Sequence, residues 1–355
     1  MQTIMLKPES TLFFRDGNIF DKEQTNWLSS KKMPYPSTFY GAVSSALLRQ
    51  GKLKSVQEAI ENNKKSSEIN KELESQLKIK GIYIYDNGDC WLPAPRDLFQ
   101  HEYGHWCIGN YRNELLYIPE YCNVNAEHFY ISMNDYINKY ATGRYDRIKL
   151  RSENEIWRTS NKVGIEIDTK KRLVKESHLY ILDMIEFAQE DSAYLLKFES
   201  DEELDKDIVL LGGEKRTAAA HKFTNKYIES QFKQYENEFC NGDKIKLLLT
   251  SPLLFSCKPS ELSKKLFNGK ITVDTIVAGK TEKIGGFDIV DAKQKQMLTG
   301  ISEGSVLRLH SEDFKEKTYK DVGLFIEKCM TEIVENRTRG FGRFILTEYR
   351  EGKNE

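Results

Sequence analysis

Four short segments of this chain set cations beside glycines or a helix start, a combination suited to holding phosphate. Arg15-Asp16-Gly17 follows the apolar run Leu12-Phe13-Phe14. The planar fork of an arginine grips phosphate oxygens in pairs; an arginine beside an Asp-Gly turn equally well pairs with a surface carboxylate. Pro36-Ser37-Thr38, with Gly41 close behind, opens a helical stretch. Ser37 or Thr38 reads as its cap, and the free N–H groups at such an end welcome an anion. Gly212-Gly213-Glu214-Lys215-Arg216 ends an apolar run with two permissive glycines and two cations; a plain turn accounts for the glycines as well. Arg337-Thr338-Arg339-Gly340-Phe341-Gly342-Arg343 holds three arginines, with no acid between Glu335 and Glu348. Its glycines would bring backbone to RNA, its arginines would meet phosphates, and Phe341 would stack on a splayed base. The alternative is a Gly-Phe-Gly turn packed on a sheet with solvated arginines.

Two further patterns carry chemistry of their own. From Lys139 to Arg172, ten basic residues stand against five acidic ones, with Tyr140, Tyr145 and Trp157 interleaved. That mixture suits RNA or a protein partner. His101-Glu102-Tyr103-Gly104-His105 matches the zinc-peptidase motif in which two histidines one helical turn apart hold the metal. Its flanks do not fit. The extended pattern wants a third histidine where Tyr111 stands, and Pro93, Pro95, Gly104 and Gly109 work against the required helix. Cys107, Cys122 and His128 offer further ligand types for a fortuitous metal contact. No nucleotide-binding GxxxxGK[ST] or hydrolase GxSxG occurs, and His178 and His221 stand alone. The expectation is a chain without catalytic activity, without a resident metal and without a cofactor.

Composition narrows the class. The chain has 355 residues, of which 39% are hydrophobic and 30% charged, and a net charge of -1. That balance is globular, and no apolar run is long enough to cross a membrane. Met1-Gln2-Thr3-Ile4-Met5-Leu6-Lys7 reads as a first strand and lacks the layout of a signal peptide. Six cysteines without a CxxC pair suit reduced thiols in a cytoplasmic protein. A free-standing nucleic-acid binder is usually basic, so any RNA contact here is a local patch or is completed by partners.

The elements that must position these residues follow from periodicity. Residues 3–14 read as a strand, 37–50 as a helix stopped by Gly51, and 52–78 as a solvated helical excursion. Asn87-Gly88 marks a hairpin between 81–85 and 90–93. Residues 96–160 show little periodicity and read as an elaborated loop region. A second hairpin (164–168 with 179–187) and strands at 193–198 and 208–211 lead to a polar connector at 221–238. The pattern then restarts with strands at 244–250, 285–290, 305–309 and 344–347 and a helix near 320–335. Mixed order of this kind argues for α+β architecture with antiparallel sheets. Two domains are expected, 1–240 with insertions near 52–78 and 99–158, and 241–355.

Taken together, the segments resemble the RAMP superfamily of CRISPR proteins, and more narrowly the subunit of the type III-B Cmr effector complex that holds the 5′ repeat-derived handle of crRNA. The resemblance is carried by Leu12–Gly17, Pro36–Ala42, Leu92-Pro93-Ala94-Pro95-Arg96-Asp97-Leu98, Lys162–Asp168 with Leu179-Tyr180, Leu211–Arg216, Leu249-Thr250-Ser251-Pro252, Ile284–Asp288, Gly304–Val306 and Gly340–Gly342. They lie in the family's order along nearly the whole chain. Lys162 stands where the family tends to have arginine, Phe287 replaces a usual tryptophan, and 52–78 and 99–158 match nothing. The resemblance implies two ferredoxin-like, RRM-like folds and no catalysis. It implies as partners the 5′ handle of crRNA, the large polymerase/cyclase-like subunit, the backbone RAMP subunits and, indirectly, target RNA. RNA contacts are then expected at Arg15, Ser37, Thr38, Gly41, Lys162, Lys215, Arg216, Arg337, Arg339, Gly340, Phe341, Gly342 and Arg343. An RNA-processing endoribonuclease of the same superfamily and a zinc metallopeptidase remain the alternatives.

Overall fold

A computed structural model describes residues 1–15, 27–112, 115–168, 173–279, 281–285, 287–288, 293–294 and 296–349, with side chains omitted at 165–168, 173–179, 287–288 and 293–294. Asp16, Gly17, Lys170, Lys171 and Arg172 lie outside the described residues, as does the side chain of His178.

Strand β1 (Gln2–Pro8) is followed by helix α1 (Pro36–Arg49). Phe39, Val43, Ala46 and Leu47 repeat at helical spacing and are fully buried, which fixes the inward face of α1. Pro36 takes the first helical position, where its missing N–H costs nothing, and Gly51 leaves the helix at φ +69°. The cap is Tyr35, with no side-chain hydrogen bond. The expectation of a Ser37 or Thr38 cap is thus corrected, because the proline moves the helix start one residue earlier. The expected excursion is two helices, α2 (Lys54–Glu61) and α3 (Ser66–Gln76). The chain then enters β2 (Lys78–Asp86), which turns through Asn87 and Gly88, both at positive φ, into Asp89–Pro93.

Strand β3 (Ala193–Glu199) and β4 (Thr217–Lys222) complete this half. The spatial order β2-β3-β1-β4 is antiparallel throughout, with α1 on the first crossover. That is the 2-3-1-4 order of a ferredoxin-like unit. Here the second crossover carries the strand Asp207–Leu210, which extends the edge beyond β4. Three more strands lengthen the opposite edge to make an eight-stranded sheet. Residues 221–238 are no mere connector: β4 ends there, and α4 (Lys226–Asn237) follows, capped by the Asn225 side chain.

The second half repeats the design. Strands β5 (Lys244–Leu249), β6 (Thr272–Val277), β7 (Val306–His310) and β8 (Phe344–Glu348) stand in the order β6-β7-β5-β8. A short helix, Leu262–Lys265, lies on the first crossover and α5 (Tyr319–Cys329) on the second. α5 stops at Cys329, earlier than expected. Its capping Thr318 accepts from the Asp321 N–H. A second four-stranded sheet includes Leu253–Phe255 and Thr281–Ile284.

One buried charged cluster joins the two halves. Asp97 is fully buried and accepts from Lys246 Nζ at 2.7 Å, from the Tyr140 hydroxyl at 2.9 and 3.0 Å, and from the Tyr111 hydroxyl at 2.9 Å. Beside it, Arg96 pairs with Glu127 at 2.8 Å and donates to Ser302 Oγ at 3.1 Å. Burial, with the Asp97 charge adding to it, pushes the Tyr111 and Tyr140 phenols well above their usual range, so both stay donors. The Pro-Arg-Asp motif is therefore a clamp between the halves. Nor are residues 96–160 a loop region. Among the described residues they hold seven short strands, including Leu98–His101, Trp106–Ile108 and Cys122–Asn125. Most are three or four residues long, too short to show a period.

Candidate nucleic-acid interface

The first cation patch is built around Phe13. Gly213 N–H donates to Phe13 O at 2.8 Å. Gly212, at φ +90°, has no room for a side chain: a Cβ there would lie 2.6 Å from Phe13 O. Glu214 and Lys215 then take left-handed conformations, and Arg216 N–H closes the turn on Gly213 O. The Phe13 ring packs on Leu182 and Met184 of a long hairpin, Trp157–Asp168 with Leu173–Phe187. Lys162 on that hairpin reaches Glu214 at 3.8 Å. Phe14 bonds to the other side: its N–H donates to Ser30 Oγ at 2.9 Å and its carbonyl accepts from Lys31 N–H at 2.8 Å, with Arg15 bridged to Ser30. Arg15, Lys162 and Lys215 are all exposed, and Arg216 is half-buried with Nη1 3.3 Å from Ser10 Oγ. Segments 200 residues apart thus converge on a single patch, and its glycines are what permit the approach.

Exposed cations on a fixed backbone hold phosphates by charge and by direct hydrogen bonds. Nearby, Lys31 ties this region to the second half: its Nζ lies 2.9 Å from Glu282 Oε2 and 4.0 Å from the Tyr35 ring centre. Burial opposes its charge, but Glu303, Tyr35 and Glu282 outweigh that and hold its pKa above the usual lysine range.

The glycine-rich loop 337–343 does something different. Ser251 accepts from Arg343 N–H at 2.9 Å and donates to Gly340 O at 2.7 Å, and Gly342 N–H donates to Pro252 O at 2.8 Å. Phe341 is 2% exposed among Leu254 and Ile284. The Arg343 side chain is 9% exposed, paired with Glu327 Oε1 at 2.7 Å, and also bonded to Arg337 O. Arg337 donates to Glu327 O at 2.7 Å. Arg339 pairs with Glu74 Oε1 at 2.8 Å, with 14% of its side chain exposed. The geometry therefore corrects two expectations: Phe341 has no free face for a base, and the Arg343 fork is taken up inside the fold. Gly340, at φ +99°, is required for the close approach, since a Cβ there would sit 2.7 Å from Ile79 and 3.2 Å from Pro36. Gly340→Ala is expected to cost about 2–4 kcal/mol through backbone strain and overpacking; a lower denaturant midpoint with an unchanged m-value is the readout.

At the start of α1, Ser37 is exposed and Thr38 and Gly41 are half-buried. Apart from its chain neighbours and the helix's own backbone, nothing among the described residues lies within 4 Å of a Cβ placed on Gly41. A glycine inside a helix costs roughly 0.5–1 kcal/mol relative to alanine, and no contact among the described residues requires it.

The two remaining patterns resolve against their sharper readings. Tyr140 and Trp157 are core side chains, each 2% exposed, so the 139–172 run offers no stack of free aromatic faces there. Arg144, Arg147, Lys149 and Arg158 remain exposed. His101 ends a strand, and the Gly104 turn at φ +86° brings His105 back so that the two rings stack at 4.5 Å. The helical zinc-peptidase spacing is absent at this site. Asp243, His310 and Glu312 stand close enough together for a metal among the described residues, but Lys315 Nζ already lies 3.5 Å from Asp243 and 2.6 Å from Glu312. The lysine supplies the positive charge those carboxylates face.

Comparison with known proteins gives a consistent set. The family model described as CRISPR-associated protein (Cas_Cmr3) matches residues 4–348. A curated relative from Saccharolobus solfataricus, "CRISPR system CMR subunit Cmr3", is 33% identical over 177 residues. That match spans 49% of this chain and about half, 50%, of the relative's length. Among solved structures, a chain of the type III-B Cmr-beta complex bound to cognate target RNA and AMPPnP superposes with a TM-score of 0.54 at 22% identity, covering 93% of this chain and 90% of that one. A chain of Cmr-beta bound to cognate target RNA gives 0.53 at 21% identity over the same shares. At these identities the likeness is one of fold.

Proposed function

The chain belongs to the CRISPR-associated Cas_Cmr3 family, and on that footing we propose that it is a non-catalytic RNA-binding subunit of a type III-B Cmr effector complex. It holds the 5′ repeat-derived handle of crRNA and docks against the large polymerase/cyclase-like subunit, beside the backbone RAMP subunits, and meets target RNA only through the guide. Such a complex works in the cytoplasm; no helix among the described residues is long and apolar enough to cross a membrane.

The observation that carries this reading is the closure of the 212–216 turn on the Phe13 carbonyl through Gly213, with Gly212 allowing the approach; it sets Lys215 and Arg216 against the segment that carries Arg15, while Lys162 reaches Glu214 of the same turn. Phosphates of the handle lie on those four cations. Ser37, Thr38 and Gly41 offer an open helix start beyond them, and Arg339 with the Gly340–Gly342 backbone borders it. Arg337, Phe341 and Arg343 serve by holding that border in shape. A net charge of -1 makes the interaction of the isolated chain weak, so the partners complete the groove.

The expected outcome with repeat RNA is binding without cleavage, in metal-free buffer and with added divalent cation. Cleavage at one position, lost on His221→Ala, would favour the endoribonuclease alternative instead.

A further inference from the structure

A carboxylate already occupies the one glycine-loop arginine that stands nearest the start of α1. Arg339 donates Nε–H to Glu74 Oε1 at 2.8 Å, and its guanidinium carbon lies 5.7 Å from the Tyr40 ring centre. Tyr40 is 4% exposed, and its hydroxyl has no hydrogen-bond partner among the described residues. Burial, with the Glu74 charge adding to it, raises that phenol above its usual range, so it remains a donor. A buried, unpartnered donor beside an arginine fork suits an anion with more acceptor oxygens than Glu74 presents. The first turn of α1 has no acidic residue and no side-chain cap, and Pro36 touches the position of Gly340.

Glu74 itself belongs to the excursion that the family resemblance leaves unassigned. It lies in the last turn of α3, and its side chain is 33% exposed. α3 is held to α2 by its own bonds: Ser55 Oγ donates to Glu72, and Gln76 donates to both. Releasing Glu74 therefore breaks none of these three hydrogen bonds. The neighbouring Arg343–Glu327 pair is different, since Arg343 is also bonded to the loop backbone and is more deeply buried.

We propose that Glu74 is a stand-in for an RNA phosphate on Arg339, keeping that fork paired until RNA displaces the carboxylate toward solvent. The inference rests on the RNA-binding reading above. It gives the 54–76 excursion a regulatory part, in which the chain sets its own threshold for loading. The exchange of one acceptor for another also explains how an arginine with little exposed surface joins an RNA site without ever being buried unpaired.

The test uses the full chain and a fluorescein-labelled single-stranded RNA of the repeat-derived 5′ segment, titrated by anisotropy at several salt concentrations. Glu74→Gln keeps size and an acceptor but removes the charge. It should tighten binding about two- to fivefold, the range set by a partly exposed ion pair. The slope of log K against log salt should stay close to wild type, because a phosphate reaches Arg339 in both chains, whereas Arg339→Gln should flatten it by about 0.7, one phosphate contact on a single strand. In an Arg339→Gln background the same change should have no effect. Unchanged or weaker binding by Glu74→Gln, with wild type binding normally, means that Glu74 merely positions Arg339 and overturns the proposal. Absence of RNA binding by wild type, alone and in the assembled complex, overturns the function itself and the stand-in with it. Thermal melting of each variant separates these outcomes from misfolding.

Discussion

Lys246→Met is expected to destabilise the folded chain by about 3–5 kcal/mol, because it strips the cation from a buried carboxylate. Asp97 is fully buried and Lys246 is 5% exposed, and they meet at 2.7 Å between the two halves. Tyr111 and Tyr140 would still donate to Asp97, but two neutral hydrogen bonds do not replace a full charge at a fully buried carboxylate. The second change, Asp97→Asn, made in the Lys246→Met chain, should recover much of the loss, since removing both members of a buried pair is commonly near neutral. Urea denaturation of the four chains of this cycle reads the result. A Lys246→Met chain as stable as wild type would remove the clamp from the account.

Charge reversal in the Phe13 patch gives the largest expected effect on binding. Arg15→Glu and Lys215→Glu each remove a charged hydrogen-bond donor worth roughly 1.5–3 kcal/mol and add a charge that repels phosphate. Each should weaken RNA binding about tenfold or more at low salt, and the pair should act together because both face one stretch of RNA. The salt slope should flatten by about 0.7 per lost phosphate contact. Both residues are exposed and take part in no core packing, so melting temperatures should stay close to wild type. Loss of stability without loss of binding would mean that the cations serve the fold.

What the sequence made legible followed from local chemistry. Pro36 and Gly51 bracket α1, Asn87-Gly88 turns the first hairpin, and the restart at Lys244 announced a repeated unit. The common 2-3-1-4 strand order gives that repeat its structural form. The cation patch was legible in part: Arg15 and Lys215 could be named, but not the fact that Gly212 and Gly213 pack against Phe13. That closeness depends on a pairing some 200 residues long in sequence. The glycine-rich loop misled because exposure is not written in a local pattern. Arg343 looks like a free cation until Glu327, on α5, is seen beside it. One signal was available and went unread. Lys246 interrupts Ile245, Leu247, Leu248 and Leu249, and a lysine inside a strand buried on both faces needs an acid. Its partner lay in the Pro-Arg-Asp motif, which stood out only by resemblance. The seven short strands of 96–160 were invisible because three or four residues are too few to show an alternation.

The central claim is that the patch formed by residues 10–15 and 211–216 lies against the 5′ handle. Photo-crosslinking of crRNA carrying a reactive uridine in the handle, within the assembled complex, tests it most directly. The account predicts crosslinked peptides containing Arg15 or Lys215, lost when the reactive uridine is moved into the guide region. Crosslinks from the handle confined to other subunits, with this patch unmodified, would contradict it.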